Sequence, residues 1–134
     1  MATENAAFVE KMAGHTIRFE PPDIFWAEMV GDVTPDEMVW IGRTFARASE
    51  RFYIIVNTNQ LKSVGAGAKK ALKEIPFASG IAFVGASRQM QFALSLMNKI
   101  YMMLNFGKNS PVSFVATEEE ARSWIEHLRA TAKK

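Results

Sequence analysis

The sequence contains no cysteine. Disulfides, thiolate metal sites, iron–sulfur clusters and cysteine nucleophiles are thereby excluded, and the absence fits a reducing compartment. No uncharged apolar run approaches the roughly 20 residues that cross a bilayer, so no transmembrane segment is expected. Met1 to Gly14 carries Glu4, Glu10 and Lys11 and lacks the apolar stretch of a signal peptide. A cytoplasmic location is expected. An excess of one charge is missing as well: 16 Lys and Arg against 14 Asp and Glu leave a formal net charge of +2. That value gives no reason to expect nucleic acid as a partner.

Histidine is equally sparse. His15 and His127 stand in no His-Glu-x-x-His pattern, and no motif joins either to a serine nucleophile. Glu118, Glu119 and Glu120 read as negative charge at a helix N-terminus, and Asp32, Asp36 and Glu37 flank another helix start. No metal, no cofactor and no catalytic residue is expected, and the chain is expected to work by binding rather than as an enzyme.

What is present is an ordinary globular balance, 49% hydrophobic and 22% charged over 134 residues, enough for one domain. Residues 15–130 are read as that domain, 1–14 as an N-terminal extension and 131–134 as a frayed tail. In the extension, Ala6, Ala7, Phe8, Val9 and Met12 suit a short extra helix that Gly14 ends. His15 to Pro21 alternates, with Ile17 and Phe19 facing one way, as in a half-buried strand. Pro21-Pro22-Asp23 makes a turn into a second strand, Ile24 to Val30. Thr34-Pro35-Asp36-Glu37 is a capping box with proline at the first helical position. Tyr53 to Val56 and Ile81 to Val84 are continuous apolar runs, suited to strands covered on both faces. Between them, Asn57 to Gly67 reads as a polar loop, and a short helix from Ala68 to Ile75 follows. Ser87 caps a long helix that runs to about Phe106. Val112 to Val115 is the last strand, and Thr117 with Glu120 caps the last helix. The order is ββαβαβαβα: an α/β fold with a mixed sheet of four to five strands and about four helices.

This order resembles the STAS domain of bacterial anti-sigma factor antagonists, and in particular its SpoIIAA-like branch, whose members also resemble CRAL-TRIO lipid-binding domains. The resemblance covers roughly His15 to Leu128. Val30 to Glu37 looks like the family's strand-to-first-helix passage, and Val56 to Ala68 like its third strand, loop and second-helix start. The resemblance implies a regulatory module that binds a partner protein. Family antagonists carry Asp-Ser-Ser-Gly at the second-helix start, with the first serine phosphorylated by a partner kinase. Matched by position, this chain has Gly65-Ala66-Gly67-Ala68. Ala66 has no hydroxyl, so the phospho-switch is not implied at that site. Ser63 lies three residues early.

Three surfaces are candidates for contact. The first is the loop with Asn57, Thr58, Asn59, Ser63, Gly65, Ala66 and Gly67, at the C-terminal end of a central strand where open α/β sheets bind ligands. Its backbone amides, with Lys62, Lys69 and Lys70 nearby, suit an anion or a partner edge; the alternative is a tight strand-to-helix turn. The second is the helix 87–106, in which twelve of the nineteen residues from Arg88 to Phe106 are apolar. Met90, Leu94, Met97, Tyr101 and Leu104 form one face, and Phe92, Leu96, Ile100 and Met103 a second stripe. Together they span about 200° of arc, more than one domain normally buries against itself. Either the extension covers the second stripe through Phe8, Val9 and Met12, or another molecule does. The third is Trp40 with Arg43 and Arg47, either an interface hot spot or a ring covered by arginine stems.

The leading expectation is a protein-binding module, lacking the usual phosphorylatable serine, that forms a homodimer or small oligomer through helix 87–106. The alternative is a carrier or sensor of a small apolar or lipid-like ligand held under that helix, with Phe25, Phe83, Leu94 and Met97 as lining.

Overall fold

Local capping chemistry starts each helix. Thr34 Oγ1 accepts from the Glu37 amide at 3.3 Å and Glu37 Oε1 accepts from the Thr34 amide at 3.2 Å, which opens α1 (Pro35–Phe45). Ser87 Oγ accepts from the Met90 amide at 3.1 Å and opens α2 (Arg88–Leu104). Thr117 and Glu120 exchange the same pair of bonds and open α3 (Glu118–Ala132). α3 continues two residues into the segment expected to fray, where Thr131 Oγ1 donates to the His127 carbonyl at 3.0 Å. The computed structural model describes residues 7–48, 51–64, 75–76, 78–104 and 110–132. The helix expected from Ala68, and the Gly65, Ala66 and Gly67 element before it, lie outside these residues. Among the described residues there are three helices.

Among the described residues the sheet has six strands rather than four to five, side by side in chain order: β1 (Phe8–Met12), β2 (His15–Glu20), β3 (Ile24–Val33), β4 (Tyr53–Val64), β5 (Gly80–Val84) and β6 (Val112–Val115). β1, β2 and β3 run antiparallel, and β3 to β6 run parallel, so the sheet is mixed as expected.

Two corrections follow. The extra N-terminal helix is instead β1, paired with β2 from Phe8↔Phe19 to Met12↔His15. Phe8 and Met12 are four residues apart, a spacing that places them on one side of a helix or of a strand alike. The Phe8 ring decides the matter by stacking on Phe19 at 5.6 Å and meeting Phe25 edge-on at 6.1 Å. The second correction concerns Asn57 to Val64, which is not a loop but the polar half of β4. β3 also runs on to Val33, and the two strands stay paired to Val33↔Val64 through two register shifts.

Residues of β4 alternate between two cores. Ile54 faces a cluster with Ile17, Phe19, Phe25 and Ala27 that α1 and α2 cover. Tyr53 and Ile55 face the opposite side, where α3 packs Ala121 and Ile125. Two-sided burial explains the unbroken apolar run. α3 is also clamped at its ends: Arg122 Nη2 donates to Glu20 at 2.9 Å and Arg129 Nε to Asp23 at 3.1 Å. The Arg122 bond, against the opposing effect of burial, holds the Glu20 carboxyl below its ordinary range, with Arg18 assisting. Gly85 follows β5 with φ +77°, and a Cβ there would collide with the Asn59 side chain.

Candidate functional site

α2 carries apolar side chains in two directions. Met90, Leu94 and Tyr101 are buried against the sheet side, and Met97 packs there half-buried. On the opposite side Phe92 is 75% exposed, Leu96 43% and Met103 77%. Ile100, expected in the same stripe, is half-buried and packs against the core. Helical geometry accounts for this: at about 100° per residue Ile100 falls at the margin of the outward arc, while Phe92, Leu96 and Met103 lie within it.

Below the inner face is a cavity of about 140 Å³, enclosed by α1, α2 and strands β3 to β6. Phe83, Leu94 and Met97 line it as expected, together with Met29, Leu61 and Val64. Phe25 does not line it. That ring is fully buried among Phe19, Phe45 and Phe52, at centroid distances of 4.9, 5.0 and 5.5 Å. Leu61 and Val64 were legible only as two apolar residues within a polar stretch. The hydroxyls at the cavity are turned to backbone: Tyr101 donates to the Ile75 carbonyl at 3.1 Å and Ser110 to the Ala78 carbonyl at 2.6 Å. Burial pushes the Tyr101 hydroxyl above its ordinary pKa, so it stays neutral. The cavity therefore favours apolar contents over charged ones.

The described part of the N-terminal segment does not cover the outer face of α2. Phe8 is engaged with Phe19 and Phe25, and Val9 is itself exposed on β1.

The other expected surfaces are placed as follows. Thr58 is buried and donates to the Val84 carbonyl at 2.9 Å, tying β4 to β5. Asn57 Oδ1 accepts from the Asn59 amide at 2.9 Å. Ser63 Oγ donates to Asp32 Oδ1 at 2.5 Å; a phosphate there would sit against a carboxylate. With its amides in a strand ladder, Asn57 to Val64 does not form the open amide loop of an anion site. Trp40 is half-buried against the core and Arg43 is exposed. Arg47 lies over the Phe8 ring at 3.7 Å, not over Trp40, and pairs with Glu10 at 2.7 Å.

His15 is fully buried, with Nε2 2.7 Å from Glu37 Oε1 and Nδ1 accepting from the Val30 amide at 3.0 Å. Both ring nitrogens are occupied by structural partners, an arrangement invisible at the sequence level because the residues are far apart. His127 sits on α3 and is exposed. Among the described residues no His, Asp and Glu cluster is placed to hold a metal, and no helix is long and apolar enough to cross a membrane.

No family model matches this sequence, and no curated protein matches it either. Solved structures do match. The anti-sigma factor antagonist SpoIIAA in its unphosphorylated form aligns with a TM-score of 0.50 at 14% identity, over 90% of this chain and 98% of that one. An uncharacterized Shewanella loihica protein of the DUF3478 family, described as having a SpoIIAA-like fold, aligns with a TM-score of 0.51 at 15% identity. That match covers 89% of this chain and 91% of the other. The fold is SpoIIAA-like. Identities this low establish the fold alone. On this fold, α2 is apolar on both its cavity side and its outer side.

Proposed function

We propose that this chain is a non-catalytic, STAS-type regulatory module that docks a protein through the outer side of α2. One observation carries the reading: Phe92, Leu96 and Met103 stand exposed at 75%, 43% and 77%, opposite the face that α2 buries. Three large apolar groups held in water on one side of a helix are stabilised when a partner covers them. The SpoIIAA-like fold supports the regulatory class, and Ala66 keeps the usual phosphorylation out of the scheme. The docked protein is either a second copy of the chain, giving a homodimer or small oligomer, or a different protein.

A photocrosslinking amino acid placed at Leu96 in expressing cells tests this, with exposed His127 on α3 as the control position. The expected result is a discrete adduct from position 96 and none from 127. An adduct at twice the chain's own mass identifies a second copy. Absence of any adduct from positions 92, 96 and 103 overturns the reading.

A second reading draws on the cavity of about 140 Å³ beneath α2. In it, α2 is the lid over a small apolar ligand. An apolar protein cavity of roughly 150 Å³ holds benzene, so this one suits a single-ring molecule better than a long acyl chain. Native mass spectrometry after mild purification tests it. A bound small apolar compound supports the reading, and a bare chain that also shows no thermal shift with small aromatics rejects it.

A further inference from the structure

The charge of α2 discriminates between the two occupants just named, and the inference drawn from it rests on the reading of α2 as a docking face. Arg88, Phe92, Leu96, Lys99 and Met103 follow one another at separations of four, four, three and four residues. At about 100° per residue these five fall within roughly 80° of arc. They form a narrow ridge, with Phe92 to Met103 spanning about 16 Å along the axis at 1.5 Å per residue. All five are exposed. A ridge built of three- and four-residue steps is the pattern that packs against another helix, knob against hole.

The ridge carries cations and no anion. Arg88 and Lys99 are its charged members, and α2 contains no Asp or Glu anywhere in Arg88–Leu104. Among the described residues neither Arg88 nor Lys99 forms an ion pair. Two copies of α2 crossing at this ridge would set cations against cations with no carboxylate between them. The acidic surface of another copy is no better a complement. Glu118, Glu119 and Glu126 lie on α3, but the apolar side of α3, Ala121 and Ile125, is buried in its own core. α1 has Asp36 and Glu37, and its apolar residues Met38, Ile41 and Phe45 are buried as well. No described helix of this chain offers both an uncovered apolar stripe and flanking carboxylates.

We infer that the α2 ridge is built to receive an amphipathic helix of another protein, one whose apolar stripe is bordered by aspartate or glutamate. Phe92, Leu96 and Met103 enter the apolar stripe, and Arg88 and Lys99 meet the flanking carboxylates. The charges set orientation and selectivity; the three apolar groups supply most of the affinity.

Two hydrocarbon-stapled helical peptides test the inference against the full chain by fluorescence anisotropy. Both carry leucine at the a and d positions. One has glutamate at the flanking e and g positions, the other lysine. The glutamate peptide is expected to bind about fivefold tighter or more at low ionic strength. The ratio falls toward one in 1 M salt, where the screening length is about 3 Å. The double variant Arg88→Glu/Lys99→Glu, both changes at exposed positions, reverses the preference, and circular dichroism checks that it folds. Equal binding of the two peptides overturns the acidic preference and leaves the docking face standing. Light scattering that shows a dimer dispersed by Leu96→Glu assigns the ridge to a second copy, with the same consequence. Binding to phosphatidylglycerol vesicles but to neither peptide overturns both readings, as does a monomer that binds nothing.

Discussion

His15 Nε2 lies 2.7 Å from Glu37 Oε1, and this contact ties the start of β2 to the first turn of α1. The Val30 amide donates to Nδ1 at 3.0 Å, so Nδ1 carries no proton and Nε2 donates to Glu37. Glu37 also closes the α1 capping box through Thr34. Burial works to raise the Glu37 pKa, but the bonds from His15 and Thr34 outweigh it and hold the carboxyl below its ordinary value. His15→Leu leaves the Val30 amide and one side of Glu37 without a partner, and is expected to cost about 2–3 kcal/mol in urea unfolding. Nitrogen-15 spectra of the wild-type imidazole at neutral pH should show the Nε2-protonated tautomer. The other tautomer, or a loss near zero in His15→Leu, contradicts the assignment.

The β1–β2 turn contains an L-residue in a left-handed conformation. Met12↔His15 closes the hairpin, leaving Ala13 at φ 53° and Gly14 at φ 90° as its two central residues. Positive φ at both positions is the signature of a type I′ turn, which favours Asn-Gly. Alanine in that region costs about 1 kcal/mol or more relative to residues that tolerate it. Ala13→Asn is therefore expected to stabilise the chain by about 0.5–1 kcal/mol, read as a higher urea midpoint at unchanged slope. A lowered midpoint would mean that the turn has another geometry.

Stability should depend on pH through Glu20. Its carboxyl meets Arg122 at 2.9 Å and Arg18 at 3.1 Å, and its pKa in the fold lies below the ordinary 4.5. A depressed carboxylate stabilises the fold fully above its unfolded pKa, and the contribution disappears as pH falls through the folded value. The arginines are more than a third exposed, so solvent screens the pair and the effect is below about 1 kcal/mol. Glu20→Gln should lower the melting temperature slightly at pH 7, and the gap to wild type should narrow as pH falls below 4.5. A deficit that persists unchanged at pH 3 would assign the effect to packing rather than charge.

Features that depend on near neighbours were readable from the sequence. The boxes at Thr34–Glu37 and Thr117–Glu120 and the cap at Ser87 each involve atoms three residues apart, and all three form. The two apolar directions of α2 follow from helical period alone. Features that depend on distant partners were not readable. Phe8 to Met12 is a strand because Phe19 and Phe25 receive Phe8. Asn57 to Val64 is a strand because β3 runs beside it, and its polarity reflects the exposed Asn59, Gln60, Lys62 and Ser63, not a loop. The cavity depends on how far α2 stands from β4 and β5, which no pattern in α2 encodes.

Neighbouring residues of α2 should respond oppositely to the same substitution. Leu94 is 5% exposed against the core, whereas Leu96, two residues on, is 43% exposed on the outer side. A glutamate at position 94 must either bury its charge or pull α2 off the sheet, at a cost of several kcal/mol. At positions 92, 96 and 103 a glutamate stays in water, and surface changes of this kind usually fall within about 0.5 kcal/mol. Thermal melts should therefore place Phe92→Glu, Leu96→Glu and Met103→Glu within about 3 °C of wild type. Leu94→Glu should lose its cooperative transition, and Ile100→Glu, half-buried at the margin, should fall between. If Leu96→Glu unfolds the chain as Leu94→Glu does, the outer side of α2 belongs to the core, and no surface remains there for a partner to cover.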